Sequence, residues 1–209
     1  MKKKIPRRMW IGTLAIAGLL AVGLTSGFPP QTPWAESTPE DNLDRQFKRL
    51  GITRIPNIPP PMDFALQDLD GGRVRLSELK GKVVVINFWT TWCPSCRIEM
   101  PDLEKLHQRF KADDFVLLAV DLRESRQTVR QYLQAHKLSF TALLDSDGEV
   151  GQRFGIRSIP TTFILDQNGG MVGKAIGARQ WGSDRAFAFF EYLIDAPLSA
   201  EDNDKIAPR

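Results

Sequence analysis

The two cysteines of this 209-residue chain stand three positions apart, in Trp92-Cys93-Pro94-Ser95-Cys96. Thiols at that spacing can close a small disulfide ring and open it again, which is redox chemistry. They follow a β-branched run at 83–89 and open a helical segment that reaches about residue 110. With Cys93 as the N-cap, Pro94 takes the first helical position, where its fixed φ suits the helix and its missing N–H costs nothing. The N–H groups of Ser95 and Cys96 are then free donors. Together with the helix dipole they favour thiolate over thiol at Cys93. Cys93 is therefore assigned as the nucleophile, and Cys96, a turn inside the helix, as the thiol that attacks the mixed disulfide and releases product. Pro94 and Ser95, between the sulfurs, tune thiolate stability and hence redox potential.

Other uses of the pair fit less well. Structural zinc needs four ligands, and the chain has no second cysteine pair. His107 and His136 fall on separate predicted helices and read as surface residues, so no metal site is assigned. A disulfide closing so short a loop removes little chain entropy and makes a poor staple. Arg97 reads as a solvated cation on an exposed helix face.

The elements that must position the thiols form one α/β pattern. A hairpin is predicted from 64–66 and 74–76 through Asp70-Gly71-Gly72. Strand 83–89 leads into the cysteine helix, whose apolar stripe is Leu103, Leu106 and Phe110 and in which Pro101 is expected to introduce a kink. A buried strand follows at 115–120, and a crossover helix at 128–136. Arg123, Arg126 and Arg130 read as the solvated face of that region. A strand is expected at 140–144, a helical turn at 150–154, and a second hairpin from 162–165 and 171–176 with Asn168-Gly169 as its turn. The closing helix, 183–194, is expected to bury Phe187, Phe190 and Ile194. Phe88, Trp89 and Trp181 read as packing residues.

Ahead of this domain, Lys2, Lys3, Lys4, Arg7 and Arg8 precede an apolar stretch at 9–28. About twenty residues at a rise of about 1.5 Å would span a hydrocarbon core of about 30 Å. The basic end would stay cytoplasmic and the rest would be exported. The alternative is a cleaved signal peptide, with small residues at Thr25-Ser26-Gly27. Either places the thiols on the oxidising side of a membrane, where a reduced dithiol needs an electron supply. The chain carries 28 Lys and Arg against 25 Asp and Glu; without the five basic residues before position 9 the balance is 23 against 25. The folded part thus has no basic stripe for nucleic acid. Residues 29–58 read as a proline-rich polar linker with one short amphipathic helix marked by Leu43, Phe47 and Leu50, residues 59–195 as the domain, and 196–209 as a disordered tail.

The block from Gly81 to Pro101, centred on Trp92-Cys93-Pro94-Ser95-Cys96, resembles the active-site segment of thioredoxin-fold proteins, in particular the membrane-anchored TlpA/ResA-like thiol–disulfide oxidoreductases. A second block, Gly155-Ile156-Arg157-Ser158-Ile159-Pro160-Thr161-Thr162-Phe163-Ile164-Leu165-Asp166, resembles the loop that carries that family's cis-proline. The resemblance covers about 59–192. It implies a central mixed sheet flanked by helices, with an N-terminal hairpin and a strand-like insertion at 140–144. It also implies a cis Pro160 against the disulfide, with Ile159 as a backbone platform for substrate and Trp92 bordering the docking surface. Asn87 stands where thioredoxin has a buried aspartate and cannot shuttle a proton; Glu99 matches a glutamate near the thiols of ResA-like members and is the candidate acid/base for Cys96.

The implied activity is an envelope reductase of protein disulfides, such as apocytochrome c or copper-site cysteines. Electrons would come from a membrane carrier of the DsbD/CcdA kind, with no cofactor beyond the Cys93–Cys96 pair. A disulfide oxidant is the alternative within the class. A peroxidase of the peroxiredoxin type is suggested by Thr90-x-x-Cys93, although Ile86 occupies the position where that motif has proline. A copper-binding chaperone would use Cys93, Cys96 and Met100 as soft ligands.

Overall fold

A computed structural model describes residues 39–60 and 63–195. The sequence assignments at 1–8, 9–28 and 196–209 lie outside the described residues. No helix among the described residues is long and apolar enough to cross a membrane.

Seven consecutive buried residues make β4 (Val83–Trp89) the central strand. A strand with apolar residues on both faces must be covered on both. Val83, Val85 and Trp89 enter one core, whereas Val84, Ile86 and Phe88 enter the other. By this alternation Asn87 points into the first core, toward the cysteine helix. β4 pairs in parallel with β5 (Phe115–Leu122), which pairs in parallel with β6 (Thr141–Asp145). On its other side β4 meets β7 (Thr161–Leu165) antiparallel, and β7 turns through a positive-φ Gly169 into β8 (Met171–Ile176). β6 is extended by the hairpin β2 (Ala65–Asp68) and β3 (Arg73–Arg75). With an edge strand β1 (Thr53–Ile58) beside β8, the eight-stranded order is β1-β8-β7-β4-β5-β6-β2-β3. This is the mixed sheet with hairpin and inserted strand that the resemblance implied.

The helix marked by Leu43, Phe47 and Leu50 is α1 (Pro39–Arg49), with Leu43 and Phe47 buried. The residues after it, read as the end of the linker, instead form β1 (Thr53–Ile58) at the sheet edge against β8. The proline at 56 hid this strand from a pattern reading, because proline is tolerated only at edges. α1 lies over β8 at Gly173, where an added Cβ would come within 2.8 Å of the Phe47 ring and 2.9 Å of Ile52. Only a glycine lets the helix approach so closely. The Arg54 guanidinium pairs with Asp44 and lies over the Phe47 ring.

The cysteine helix is α2 (Pro94–Phe110), continuous through Pro101, with Leu103, Leu106 and Phe110 buried. α3 (Arg126–His136) starts on a Ser125 cap whose hydroxyl accepts from Thr128 N–H. Arg126 and Arg130 are not a solvated face: Arg126 donates to Asp68 O and Gln67 Oε1, and Arg130 to Leu69 O, so α3 grips the β2–β3 turn. A short α4 (Glu149–Arg153) follows β6, its first amides held by the Asp145 carboxylate. α5 (Asp184–Asp195) buries Ala186, Phe189, Phe190 and Leu193. Its core face is thus turned from the expected one, leaving Phe187 and Ile194 only partly buried.

Candidate redox site

Strand β4 ends at Trp89, and the chain turns through Thr90, Thr91 and Trp92 into α2. Cys93 is the N-cap of that helix in extended geometry, Pro94 occupies the first turn, and the Cys93 sulfur accepts the Cys96 N–H at 3.2 Å. This is the local arrangement that makes a helix start favourable for a negatively charged sulfur. The two cysteines are joined as a disulfide with Cα atoms 5.3 Å apart. Cys93 retains 5% of its surface and Cys96 none, so outside molecules can touch only the first sulfur.

The second sequence block arrives from β7. The Ile159–Pro160 bond is cis, and the Ile159 carbonyl oxygen lies 3.8 Å from the Cys93 sulfur. Pro160 O accepts Gly177 N–H, and Thr161 Oγ1 donates to Ser158 O, which pins the loop on both sides. Trp92, Ile98 and Ile176 are the large apolar side chains left exposed among the described residues. Trp92 precedes the reactive cysteine, Ile98 follows Cys96 by two positions, and Ile176 pairs with Thr161 beside Pro160. A groove of about 790 Å³ runs from Trp92 and Ile159 past Arg157 to Glu124.

Glu99 lies on α2 three residues beyond Cys96, on the same face of the helix. It is buried and accepts three hydrogen bonds: from Asn87 Nδ2 at 2.8 Å on Oε1, and from Arg179 N–H at 3.0 Å and Trp181 Nε1–H at 2.9 Å on Oε2. Burial pushes its pKa up to about 7, against the pull of the Arg179 amide, the Asn87 amide and the Trp181 indole. A carboxyl near neutrality can take up or give back a proton under working conditions. Asn87, unable to carry a proton itself, orients the group that can, and its Nδ2 also donates to Thr162 Oγ1 at 2.9 Å.

Sequence reading had placed Trp181 among packing residues. It packs against Phe190, but its indole also serves Glu99. Arg179, Thr162 and Glu124 were missed altogether. Glu124 accepts Thr91 N–H at 2.5 Å and Thr91 Oγ1–H at 2.6 Å, fixing the turn that presents Cys93. Beside it Asp121, opposite Trp89 across the β4–β5 ladder, is pushed up to about 8 by burial and by the neighbouring Glu124 carboxylate. The sequence signal that could have marked this loop as ordered is Ser125, a helix-capping residue type not read as one from the sequence. Arg97 is exposed and leans on Tyr132. Met100 is buried in the core, and no group of three or more His, Cys, Asp or Glu side chains that could hold a metal is present among the described residues.

Comparison with known proteins gives a consistent outcome. The sequence profile of the AhpC/TSA family matches residues 59–173. The chain is 39% identical to the thiol–disulfide oxidoreductase ResA of Halalkalibacterium halodurans over 129 residues, 62% of this chain and 69% of that protein. It is 35% identical to ResA of Bacillus subtilis over 115 residues, 55% of this chain and 64% of that one. The aligned part thus spans about two thirds of the length of these relatives. Among solved structures, StoA from Bacillus subtilis superposes with a TM-score of 0.53 at 29% identity, covering 62% of this chain and 95% of that one.

Proposed function

This chain belongs to the AhpC/TSA family, with thiol–disulfide oxidoreductases as its relatives, and from that premise we propose that it reduces protein disulfides through Cys93 and Cys96. The observation that carries the reading is the inequality of the two sulfurs. Cys93 caps a helix and keeps an accessible edge, whereas Cys96 is sealed beside Glu99.

In the reduced protein, the Cys93 thiolate attacks one sulfur of a partner disulfide. A Cys93–partner bond forms as the partner's bond breaks, and the partner's other sulfur leaves as a thiolate. The Cys96 thiol then passes its proton to the Glu99 carboxylate, and its thiolate attacks the Cys93 sulfur. The Cys93–Cys96 disulfide forms, the second partner sulfur departs, and the partner has gained two electrons. The protonated Glu99 returns its proton to solvent or product when the site opens. Trp92, Ile98 and Ile176 supply an apolar rim on which an extended partner segment can lie, with the Ile159 carbonyl beside the reacting sulfur.

The basic start and the apolar stretch at 9–28 support an envelope location, held to a membrane or released after cleavage. There a dithiol needs an electron supply, which a membrane-borne dithiol donor of the DsbD/CcdA class would provide, and cysteines of apocytochrome c or a copper site are fitting substrates. Replacing Cys96 with alanine should leave partners stranded on Cys93, and identification of the trapped proteins names the substrate. No adduct on Cys93, together with peroxide consumption by the same variant when a thiol is added, would replace this reading with the peroxidase one. Equilibration with glutathione decides direction: a potential near about −120 mV, that of a strong disulfide oxidant, would sink the reductase assignment.

A further inference from the structure

Two of the three donors that hold Glu99 come from one short segment. The Arg179 N–H and the Trp181 indole both reach Oε2 from the stretch between β8 and α5. Such a segment has no ladder of its own to keep those donors in place. It starts at Gly177, whose φ of +86° turns the chain away from the sheet. To the one bond that Gly177 N–H makes to Pro160 O, the side chain of Arg179 adds four. Nη1 donates to Gly177 O at 3.1 Å and Ala178 O at 2.9 Å, closing the turn on itself. Nε and Nη2 donate to Gly51 O at 3.1 and 2.8 Å, tying the turn to the end of α1. Gly51 has φ +64°, and a Cβ there would sit 3.0 Å from Arg179 Nε. The planar guanidinium satisfies three carbonyls at once, which an ammonium does less completely. Gly51 and Arg179 both lie outside residues 59–173, the part shared with the family.

We propose that Arg179 is a positioning residue for the redox reaction: by strapping the β8–α5 turn to the α1–β1 turn, it keeps its own N–H and the Trp181 indole on Glu99. The N-terminal helix thereby becomes part of the machinery that sets the proton affinity beneath the thiols. The inference rests on the reading of Glu99 as acid/base for Cys96. The groups facing Glu99 are few. α2 contributes the Cys93–Cys96 pair, and the turn contributes the Arg179 guanidinium. β4 and β7 contribute the neutral Asn87 and Thr162, and the indole of Trp181 is also uncharged. Hydrogen bonds to a carboxylate favour its charged form, so loosening two of them raises the proton affinity of Glu99.

The test uses the full chain in wild-type, Arg179→Ala, Arg179→Lys and Glu99→Gln forms. The Trp181 indole resonance of ¹⁵N-labelled protein, followed against pH, reads the Glu99 titration without reference to catalysis. Its midpoint should move upward by about one pH unit in Arg179→Ala, the tenfold change expected when two charge-assisted hydrogen bonds are weakened but not lost, and return at least halfway in Arg179→Lys. An unchanged midpoint in Arg179→Ala overturns the proposal. Should Arg179→Ala fail to fold, Arg179→Gln serves the same comparison. Separately, reduced protein is mixed with 5,5′-dithiobis(2-nitrobenzoate), and release of the second thionitrobenzoate, which reports Cys96 attacking the Cys93 adduct, is timed against pH. A wild-type profile in Glu99→Gln would end the acid/base reading while leaving the indole titration to judge the strap alone.

Discussion

Replacing Glu99 with glutamine removes one buried charge while keeping the size and shape of the side chain. The carboxylate accepts only hydrogen bonds, so the new amide must turn its NH2 toward a present donor. Oε1 of the glutamine can take the place that receives Arg179 N–H and Trp181 Nε1–H, which puts the NH2 opposite Asn87. Asn87 Oδ1 has no partner. A flip of the Asn87 amide presents that oxygen to the new NH2 and to the Thr162 hydroxyl but moves Nδ2 to the side where nothing accepts from it, a cost that is the same at every pH. What remains is the titration. The folded protein holds Glu99 at about 7 against an ordinary value of 4.5, so between these pH values the folded state binds more protons than the unfolded chain. Stability from this group is therefore fully present below about pH 4.5 and is lost as pH rises through 7. The difference, 7 − 4.5, corresponds to about 3 kcal/mol at about 1.4 kcal/mol per unit. Urea unfolding of the oxidised protein and of Glu99→Gln at intervals from pH 4.5 to 8 should show the variant gaining about 3 kcal/mol relative to wild type across that range. A difference that stays flat to within about 0.5 kcal/mol would refute the reasoning, because the carboxyl would then not be held neutral by burial.

Gly173→Ala should lower stability by about 1–3 kcal/mol in urea titration, because its Cβ would meet the Phe47 ring and Ile52 in an already packed contact. Arg126→Ala should cost about 1–2 kcal/mol and speed hydrogen exchange at the β2–β3 hairpin while leaving β4 protected, since it removes bonds to Asp68 O and Gln67 Oε1. Thr91→Val and Glu124→Ala should be non-additive in Cys93 alkylation rate or unfolding free energy, with a coupling of about 1–3 kcal/mol; additivity would show that the two do not act as a unit.

The thiol pair, its strand and its helix were legible because each carries local chemistry: a β-branched run, a cap, a proline at the first helical position. The loop of Pro160 was legible only by resemblance. Glu99 was named in the same way, but its surroundings were not, since Arg179 and Trp181 lie 80 and 82 positions away and nothing near them in sequence points to a carboxylate. Arg126 and Arg130 read as solvated because their partners lie on a hairpin about 60 positions away and include backbone carbonyls, which leave no signature in side-chain order. The phase of α5 was misjudged because Phe187 and Phe189 point to nearly opposite sides of the helix with Phe190 between them, and only the packed neighbours choose which side is buried.

The two borders of the sheet bear on how this protein can hold another chain. One border is β1, where the imino acid at 56 offers no N–H; the other is β3, three residues long and flanked by Arg73 and Arg75. Neither invites a foreign strand to extend the ladder. On the proposed reading, a client with exposed, half-folded backbone would therefore be held by the apolar rim and by one covalent link at the start of α2, and would be let go as soon as that link is exchanged.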